Sequence, residues 1–173
     1  KIYIAYYGRA ADPEGQDFWA QQLEAAGGDL SQIVDAFGNS EEFQNTYGEQ
    51  EDRDLVNNLF QQLFGRDADS EGLEFYLGLL QSGGKSLASI SLDILNGALN
   101  SDQLIIDNKL QYVEEFTLKI KVKNKGYDDS VALEVKARLK DISDDDDSRD
   151  SAIAELETLV DDLPTATSVY FDE

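Results

Sequence analysis

The feature that most constrains this chain is a phrase of eight residues that occurs twice, 57 positions apart. Residues 8–15 read GRAADPEG and residues 65–72 read GRDADSEG, and an aromatic pair follows each phrase. The same offset continues without a gap through later apolar positions and relates Ile33 to Ile90. So long a match indicates an internal duplication, in which each unit buries its apolar face against its neighbour. We therefore expect two similar units in contact.

Each copy of the phrase has the residues of a connection between two helices. Its first glycine follows apolar and aromatic residues at helical spacing, and glycine adopts without penalty the left-handed backbone that ends a helix. Its aspartate is a natural N-cap for the next helix, and the acidic residue that follows suits the positive end of the helix dipole. We predict structural roles for Gly8, Arg9, Asp12, Gly15 and Trp19 in the first copy and for Gly65, Arg66, Asp69, Gly72 and Tyr76 in the second.

The remaining apolar residues predict helices throughout the chain. We expect the helix after the first phrase to bury Phe18, Trp19 and Leu23. The stretch 117–123 alternates like a strand, but the helical period runs through it and no partner strand is evident. The sequence therefore predicts an all-α fold, an array of about eight to nine short-to-medium helices without a sheet.

The duplication also predicts how the chain is divided. Tandem helical repeats occupy residues 1–104, with copies at 1–47 and 55–104. A C-terminal helical region over 105–163 is expected to pack on the repeats, and residues 164–173 are expected to be a tail or linker.

The second copy is four residues longer near its end. Its closing Asn100-Ser101 lies 61 residues after Asn39-Ser40, whereas the earlier offset is 57. Four residues are about one helical turn, so an added turn would keep the buried face of a helix. We therefore expect the helix that begins at Leu87 to extend to about Leu99.

The charge of the chain excludes several classes of partner. Its 36 acidic and 14 basic residues give a formal charge of −22. Such a chain repels nucleic acid and bare anionic membranes, and no apolar run approaches the ~18 residues of a membrane span. Without His or Cys, it lacks the commonest general base and any thiolate. We expect no enzymatic activity, and we expect the carboxylates to attract hard cations such as Ca²⁺.

The arginine of the phrase allows two interpretations. Arg9 and Arg66 each follow a helix C-terminus, where a guanidinium can bind free carbonyl oxygens and a nearby carboxylate. The functional interpretation is that each repeat contacts an anion. We favour the structural interpretation, in which the arginine clamps the loop between two helices.

Two acidic stretches resemble calcium-binding loops without matching the whole pattern. The first begins at Asp67, but Gly78 occupies the twelfth position, where an EF-hand needs a bidentate glutamate. The second begins at Asp144, but Arg149 replaces the required glycine. Helix capping followed by a solvated turn explains both stretches more simply. The residues that could still bind Ca²⁺ weakly are Asp144, Asp146, Asp147 and Asp150, and in the first stretch Asp67, Asp69 and Glu71.

Half of the basic residues are concentrated in one segment of 22 residues. On so acidic a chain, this segment is the one patch able to contact phosphates or acidic sugars. The alternative is a solvated helix end, where lysine is favoured by the helix dipole. We name these residues the basic cluster: Lys119, Lys121, Lys123, Lys125, Lys136, Arg138 and Lys140.

The doubled phrase, read with its flanking residues, resembles a known family. An aromatic helix end, the pattern Gly-Arg-x-x-Asp-x-x-Gly, an aromatic pair, Gly-Gly and a closing Asn-Ser-Glu-Glu-Phe are similar to the domain-of-unknown-function family 4214. Two copies cover residues 1–104, and the helical region after them also resembles the family's usual continuation. The chain departs from the family at Ala11 and Ala68, where proline is usual, and at Tyr76, where tryptophan is usual.

The resemblance implies a non-catalytic, extracellular helical module. The family occurs in bacterial proteins exported by type I secretion, including RTX and S-layer proteins, and some such domains hold an S-layer on lipopolysaccharide with the help of Ca²⁺. We therefore expect a secreted cell-surface anchoring domain on the outer surface of a Gram-negative bacterium, binding surface polysaccharide or lipopolysaccharide and able to self-associate in a lattice. The alternatives are a self-assembly or protein-interaction scaffold, or an accessory domain of a secreted hydrolase.

Overall fold

The computed structural model describes residues 1–166, and the expectation of an all-α fold is confirmed in them. The described part has ten α-helices and no strand, and no helix in it is both long and apolar enough to cross a membrane. The helices are α1 (Ile2–Tyr7), α2 (Pro13–Ala25), α3 (Ser31–Gly38), α4 (Glu41–Tyr47), α5 (Asp52–Phe64), α6 (Ser70–Gln81), α7 (Leu87–Asn96), α8 (Ser101–Val122), α9 (Asp129–Asp141) and α10 (Asp146–Asp162).

The repeated phrase folds in the same way in both copies. Gly8 ends α1 with φ of 66° and Gly65 ends α5 with φ of 70°, the left-handed conformation expected of both. The Asp12 carboxylate accepts the backbone N–H of Gly15 at 2.6 Å. The equivalent bond joins the second capping aspartate to Gly72 at 2.8 Å. Each phrase therefore sets the angle between a preceding and a following helix.

The extra residues of the second copy do not lengthen a helix by one turn. The expectation that the helix from Leu87 would reach about Leu99 is wrong, because α7 ends at Asn96. Gly97 follows, and glycine is the least favourable residue for a helix interior apart from proline. Part of the added length instead lies in the loop of residues 97–100, which ends at Asn100 with φ of 53°, and α8 begins at Ser101.

The buried apolar residues form two clusters. The first belongs to the repeats, includes Ile4, Leu59 and Ile90, and extends to Ile106 at the start of α8. The second joins the later part of α8 to α9 and α10 and contains Ala10, Tyr112, Phe116, Ile120, Val131, Val135, Leu139, Ile142, Leu156 and Val160. Helix α8 is thus shared by both clusters, and Ala10 of the first phrase joins the C-terminal helices to the first repeat.

The expected burial of the first aromatic pair is only half right. Phe18 was expected to be buried but is 52% exposed, while Trp19 and Leu23 pack partly buried against the repeat core. The Trp19 ring takes the inner position, 5.2 Å from the ring centre of Phe37. Phe18 lies edge-on against Trp19 on its outer side. The helical pattern placed the aromatic residues on neighbouring faces, but only one of those faces has a partner.

A buried lysine joins α8 to the end of α5. Lys109 of α8 is 2% exposed, and its ammonium donates hydrogen bonds to the carbonyl oxygens of Gln62 at 3.0 Å and Leu63 at 2.9 Å. These carbonyls belong to the last turn of α5, where a helix leaves its acceptors unpaired and its dipole is negative. Burial without a carboxylate partner lowers the pKa of Lys109 to about 8.

The segment expected to be a tail or linker is described only up to Ala166. In that part Gly126 donates to the carbonyl of Pro164 at 2.8 Å, and Ala166 donates to the carbonyl of Asn124 at 2.9 Å. These two bonds attach residues 164–166 to the loop between α8 and α9. Residues 167–173, the rest of the segment, lie outside the described residues.

Candidate binding site

The arginine of the first phrase is enclosed by the chain itself. The Arg9 guanidinium binds both carboxylate oxygens of Glu42, with its Nε 2.8 Å from one and its Nη2 2.7 Å from the other. It also lies over three tyrosine rings, 5.2 Å from the centre of Tyr3, 5.1 Å from Tyr7 and 5.9 Å from Tyr127. An arginine with a bidentate carboxylate and aromatic faces has little capacity left for an external anion.

The arginine of the second phrase has the same kind of partners but is more exposed to solvent. Arg66 donates from both Nε and Nη2 to the carboxylate of Asp102, and it lies over the rings of Phe60 and Phe64. Glu42 and Asp102 stand in the first turns of α4 and α8. Each arginine therefore joins the end of one helix to the start of the helix that closes its repeat.

The second acidic stretch has no room for an EF-hand loop. Residues from Asp146 onward belong to α10, and a helix cannot wrap its side chains around one ion as a loop does. Asp146 and Asp150 both accept hydrogen bonds from Arg149, at 2.8 and 2.9 Å. Arg149 also donates to the Asn108 side chain at 3.0 Å. Arg149, which replaces the glycine of an EF-hand loop, thus supplies the positive charge that these aspartates bind.

The first acidic stretch is arranged in a similar way. Asp69 caps α6, Glu71 lies in the first turn of that helix, and Asp67 accepts a hydrogen bond from Gln61 at 2.7 Å. Within residues 1–166, no group of three or more acidic side chains lies close enough together to hold a metal ion. Ca²⁺ binding therefore stays a prediction that has no preformed site in the described part of the chain.

Most members of the basic cluster contact oxygen atoms of the chain itself. Lys119 and Lys123 both bind Glu157, and Lys123 also binds Asp161 at 2.7 Å. Lys125 donates to backbone carbonyl oxygens near the end of α10, at 2.7 and 2.8 Å. These contacts fasten the end of α8 to α10.

Two further members of the basic cluster have carboxylate partners. Lys121 binds Asp17 of α2 at 2.8 Å, and Arg138 binds Glu134 and Glu155. The contacts connect α8 with α2 and α9 with α10. Five of the seven cluster residues thus hold helices together.

The other two members behave differently. Among residues 1–166, no carboxylate lies within ion-pairing distance of Lys136 or Lys140. They are four residues apart on α9 and line one open cleft of about 440 Å³. The other lining residues are Gly8, Thr46, Tyr47, Gln50, Asn58, Gln61, Gln62, Gly65 and Leu139.

The amide residues of this cleft were not singled out from the sequence. Asn58, Gln61 and Gln62 lie on α5, and Gln50 lies just before it. A possible signal was present, because α5 reads LVNNLFQQLFG and its polar face carries four amides and no charge after residue 54. The cleft joins these amides to both glycines that end the phrase helices and to the two unpaired lysines.

Comparison with known proteins identifies the repeats but not a specific relative. One family model, described as a domain of unknown function (DUF4214), matches residues 1–45 and 34–102. The two stretches overlap, and each contains one copy of the doubled phrase. No curated protein matches the chain, and no solved structure matches it.

Proposed function

The chain belongs to the DUF4214 family, and we propose that it is a non-catalytic attachment module of a secreted bacterial protein. In this proposal it holds an S-layer or RTX-type protein, exported by type I secretion, on the outer surface of a Gram-negative cell. The partner is lipopolysaccharide or another surface polysaccharide, with Ca²⁺ assisting attachment.

The observation that carries the proposal is the pair of lysines in the cleft that have no carboxylate partner among the described residues. A chain of charge −22 has carboxylates available for every base, and most of the basic cluster uses them. Lys136 and Lys140 leave positive charge free beside amide side chains, a combination that suits hydroxyl groups and an acidic substituent. We therefore assign binding to these two lysines and a packing role to the paired members.

The proposed role of Ca²⁺ follows from the net charge. Self-repulsion among so many carboxylates destabilises the compact state, and bound or condensed cations reduce it. The melting temperature should therefore rise when chelator is replaced by millimolar Ca²⁺. An unchanged melting temperature would remove Ca²⁺ from the proposal.

Attachment is tested by sedimenting the purified protein with Gram-negative cells that carry lipopolysaccharide and with cells stripped of it. The wild type should sediment only with the former, and Lys136→Ala/Lys140→Ala should remain in solution. The matched control is Lys119→Ala/Lys121→Ala, which removes the same charge from paired positions and should still sediment. If the wild type shows no preference for lipopolysaccharide-bearing cells, the proposed function is wrong.

A second candidate function is self-assembly, and it is favoured by exposed apolar side chains. Phe18 and Phe75 hold equivalent positions in the two repeats and are 52% and 60% exposed. Leu118 and Val122 are also exposed on α8. Light scattering with and without Ca²⁺ tests this candidate, because a lattice-forming module should associate and a passive spacer should stay monomeric.

A further inference from the structure

We infer that the cleft between α5 and α9 is a specific site for a single sugar unit that bears a carboxylate or phosphate group. This inference rests on the proposed function and deepens it, since it names the site and the class of ligand. It is based on the helices that form the cleft, on its two lysines and on its neutral amide side chains.

The walls of the cleft come from four helices. Gly8 and Gly65 mark the ends of α1 and α5, Tyr47 ends α4, and α9 supplies the two lysines. The volume of about 440 Å³ lies in the range of small-molecule sites, which is roughly 300–1,000 Å³. The site exists only because both repeats and the C-terminal region meet there.

Within residues 1–166, the positive charge of the cleft has no ion-pair partner. Lys136 and Lys140 share one face of α9, and like charges four residues apart destabilise a helix. Glu42 is the acidic residue that raises the pKa of Lys136. Both carboxylate oxygens of Glu42 accept hydrogen bonds from Arg9. Burial lowers the pKa of Lys136, Glu42 raises it, and the neighbouring Lys140 and Arg9 lower it again. Burial and the neighbouring cations destabilise the charged form of Lys136. A bound anion would stabilise that form and, with it, the folded chain.

The helix ends that border the cleft do not cancel this charge. The C-terminal carbonyls of Ile4 and Ala5 accept hydrogen bonds from the Gln62 side chain at 3.2 and 2.8 Å. In the corresponding turn of α5, the carbonyls of Gln62 and Leu63 accept from the Lys109 ammonium. Because these acceptors are occupied, they are not available as ligands for a metal cation, and the two ammonium groups are the charges left to a ligand of the cleft.

The neutral side chains of the cleft select a hydroxylated ligand. The side-chain amide of Asn58 donates to Gln50, and that of Gln61 donates to Asp67, so each keeps a carbonyl oxygen and a second N–H for a ligand. Alternating donors and acceptors match sugar hydroxyls better than a bare anion. A long polyanion is disfavoured because the rest of the chain is strongly negative. A short unit with one or two charges satisfies both conditions.

The test uses nuclear magnetic resonance titration of the full chain with galacturonate, glucose 1-phosphate, glucose, inorganic phosphate and hexaglutamate. The two acidic sugars should shift amide signals of residues lining the cleft, and glucose should bind about tenfold more weakly, since one charge-assisted hydrogen bond is worth about that factor. Whichever acidic sugar binds more tightly identifies the carboxylate or the phosphate as the natural group. Tighter binding by hexaglutamate or equal binding by inorganic phosphate would overturn the sugar assignment.

Variants separate this inference from the proposed function. Lys136→Ala/Lys140→Ala and Asn58→Ala/Gln61→Ala should each weaken binding of the acidic sugar about tenfold, while Lys119→Ala/Lys121→Ala should leave it unchanged. All six positions are at least partly exposed, and circular dichroism verifies that each variant is folded. If the wild type sediments with cells but no sugar shifts the cleft, the inference fails and the function stands. If sugars bind the cleft but cells do not, the function fails and the site stands.

Discussion

The two copies of the doubled phrase have the same local structure but unequal surroundings. The side chain of Arg9 is 14% exposed and that of Arg66 is 42% exposed. Tyr127, from the loop between α8 and α9, covers the first arginine and donates to the carbonyl of Ala10 at 2.7 Å. The phrase alone therefore determines the angle between two helices, and the C-terminal region determines how deeply the phrase is buried.

One position explains why the C-terminal helices pack on the first copy. Ala10 is fully buried in the second cluster, whereas the residue 57 positions later is Asp67, which is exposed. A carboxylate buried without a partner is strongly unfavourable. The difference between alanine and aspartate thus makes one copy a docking surface and keeps the other in water.

The largest effect should come from exchanging these two residues one at a time. We expect Ala10→Asp to lower the free energy of unfolding by about 4 kcal/mol, because it buries an unpaired carboxylate in a close-packed cluster. The reciprocal Asp67→Ala should change it by about 0.5 kcal/mol or less. Urea denaturation measures both. Similar losses in the two variants would mean that this position does not distinguish the copies.

Removing the arginine should also destabilise the fold more in the first copy than in the second. Arg9→Ala should lower the free energy of unfolding by about 3 kcal/mol, because it empties a covered site and leaves Glu42 without its partner. Arg66→Ala should lower it by only about 1 kcal/mol, because water screens the more exposed pair. Arg9→Lys, which keeps the charge but not the bidentate contact, serves as the control in the same urea titrations. Equal losses for the two alanine variants would contradict the comparison.

The ends of α1 and α5 provide a third contrast, since a neutral amide satisfies the first and a charged lysine the second. The pKa of Lys109 is about 8 in the folded chain and has the ordinary value of 10.5 in the unfolded chain. Between these values the unfolded chain binds more protons, so the free energy of unfolding rises with pH. From pH 7 to 10 the wild type should gain about 2 kcal/mol relative to Lys109→Met.

The measurement for Lys109 is urea denaturation of both proteins across that pH range. Tyrosines of the unfolded chain also titrate near its upper end, but they are present in both proteins and cancel in the difference. Gln62→Ala is the matched control at the end of α1, and its loss of stability should not vary with pH. A difference between wild type and Lys109→Met that stays constant would show that the ammonium keeps its ordinary pKa.

The smallest effect should come from the ion pairs between α8 and α10. Hydrogen bonds from Lys119 and Lys123 lower the pKa of Glu157 to about 2. Its stabilising contribution is present above the ordinary value of 4.5 and is lost as the pH falls through about 2. In Lys119→Ala/Lys123→Ala the pKa should return toward the ordinary value, measured by nuclear magnetic resonance, while the urea midpoint at pH 7 falls only slightly, because water screens exposed ion pairs. A midpoint that falls as far as that of Arg9→Ala would mean that these surface pairs stabilise the fold as strongly as a covered one.

The sequence was a good guide wherever structure depends on neighbours along the chain. The glycine stops, the aspartate caps and the uninterrupted helix through 117–123 all follow from local backbone preferences. The length of α7 was not predictable in the same way, because four added residues can extend a helix or a loop. Phe18 was misjudged because helical spacing defines a face without saying whether another element covers it.

The binding site was the least predictable part for a related reason. The partner of Lys121 is Asp17, 104 residues away, so the cluster could not be divided from sequence into paired and unpaired members. The cleft likewise brings Gly8 together with Lys140. What the sequence did contain was the concentration of bases in an acidic chain, which pointed to the region but not to the two residues within it.

The shared helix has a mechanical consequence for the proposed attachment module. Helix α8 has 22 residues, so it is a rod of about 33 Å with its first turns in one apolar cluster and its later turns in the other. A pull directed along this rod would shear both clusters at once, because α8 contributes residues to each. Such a joint resists load as a unit, instead of opening one layer at a time.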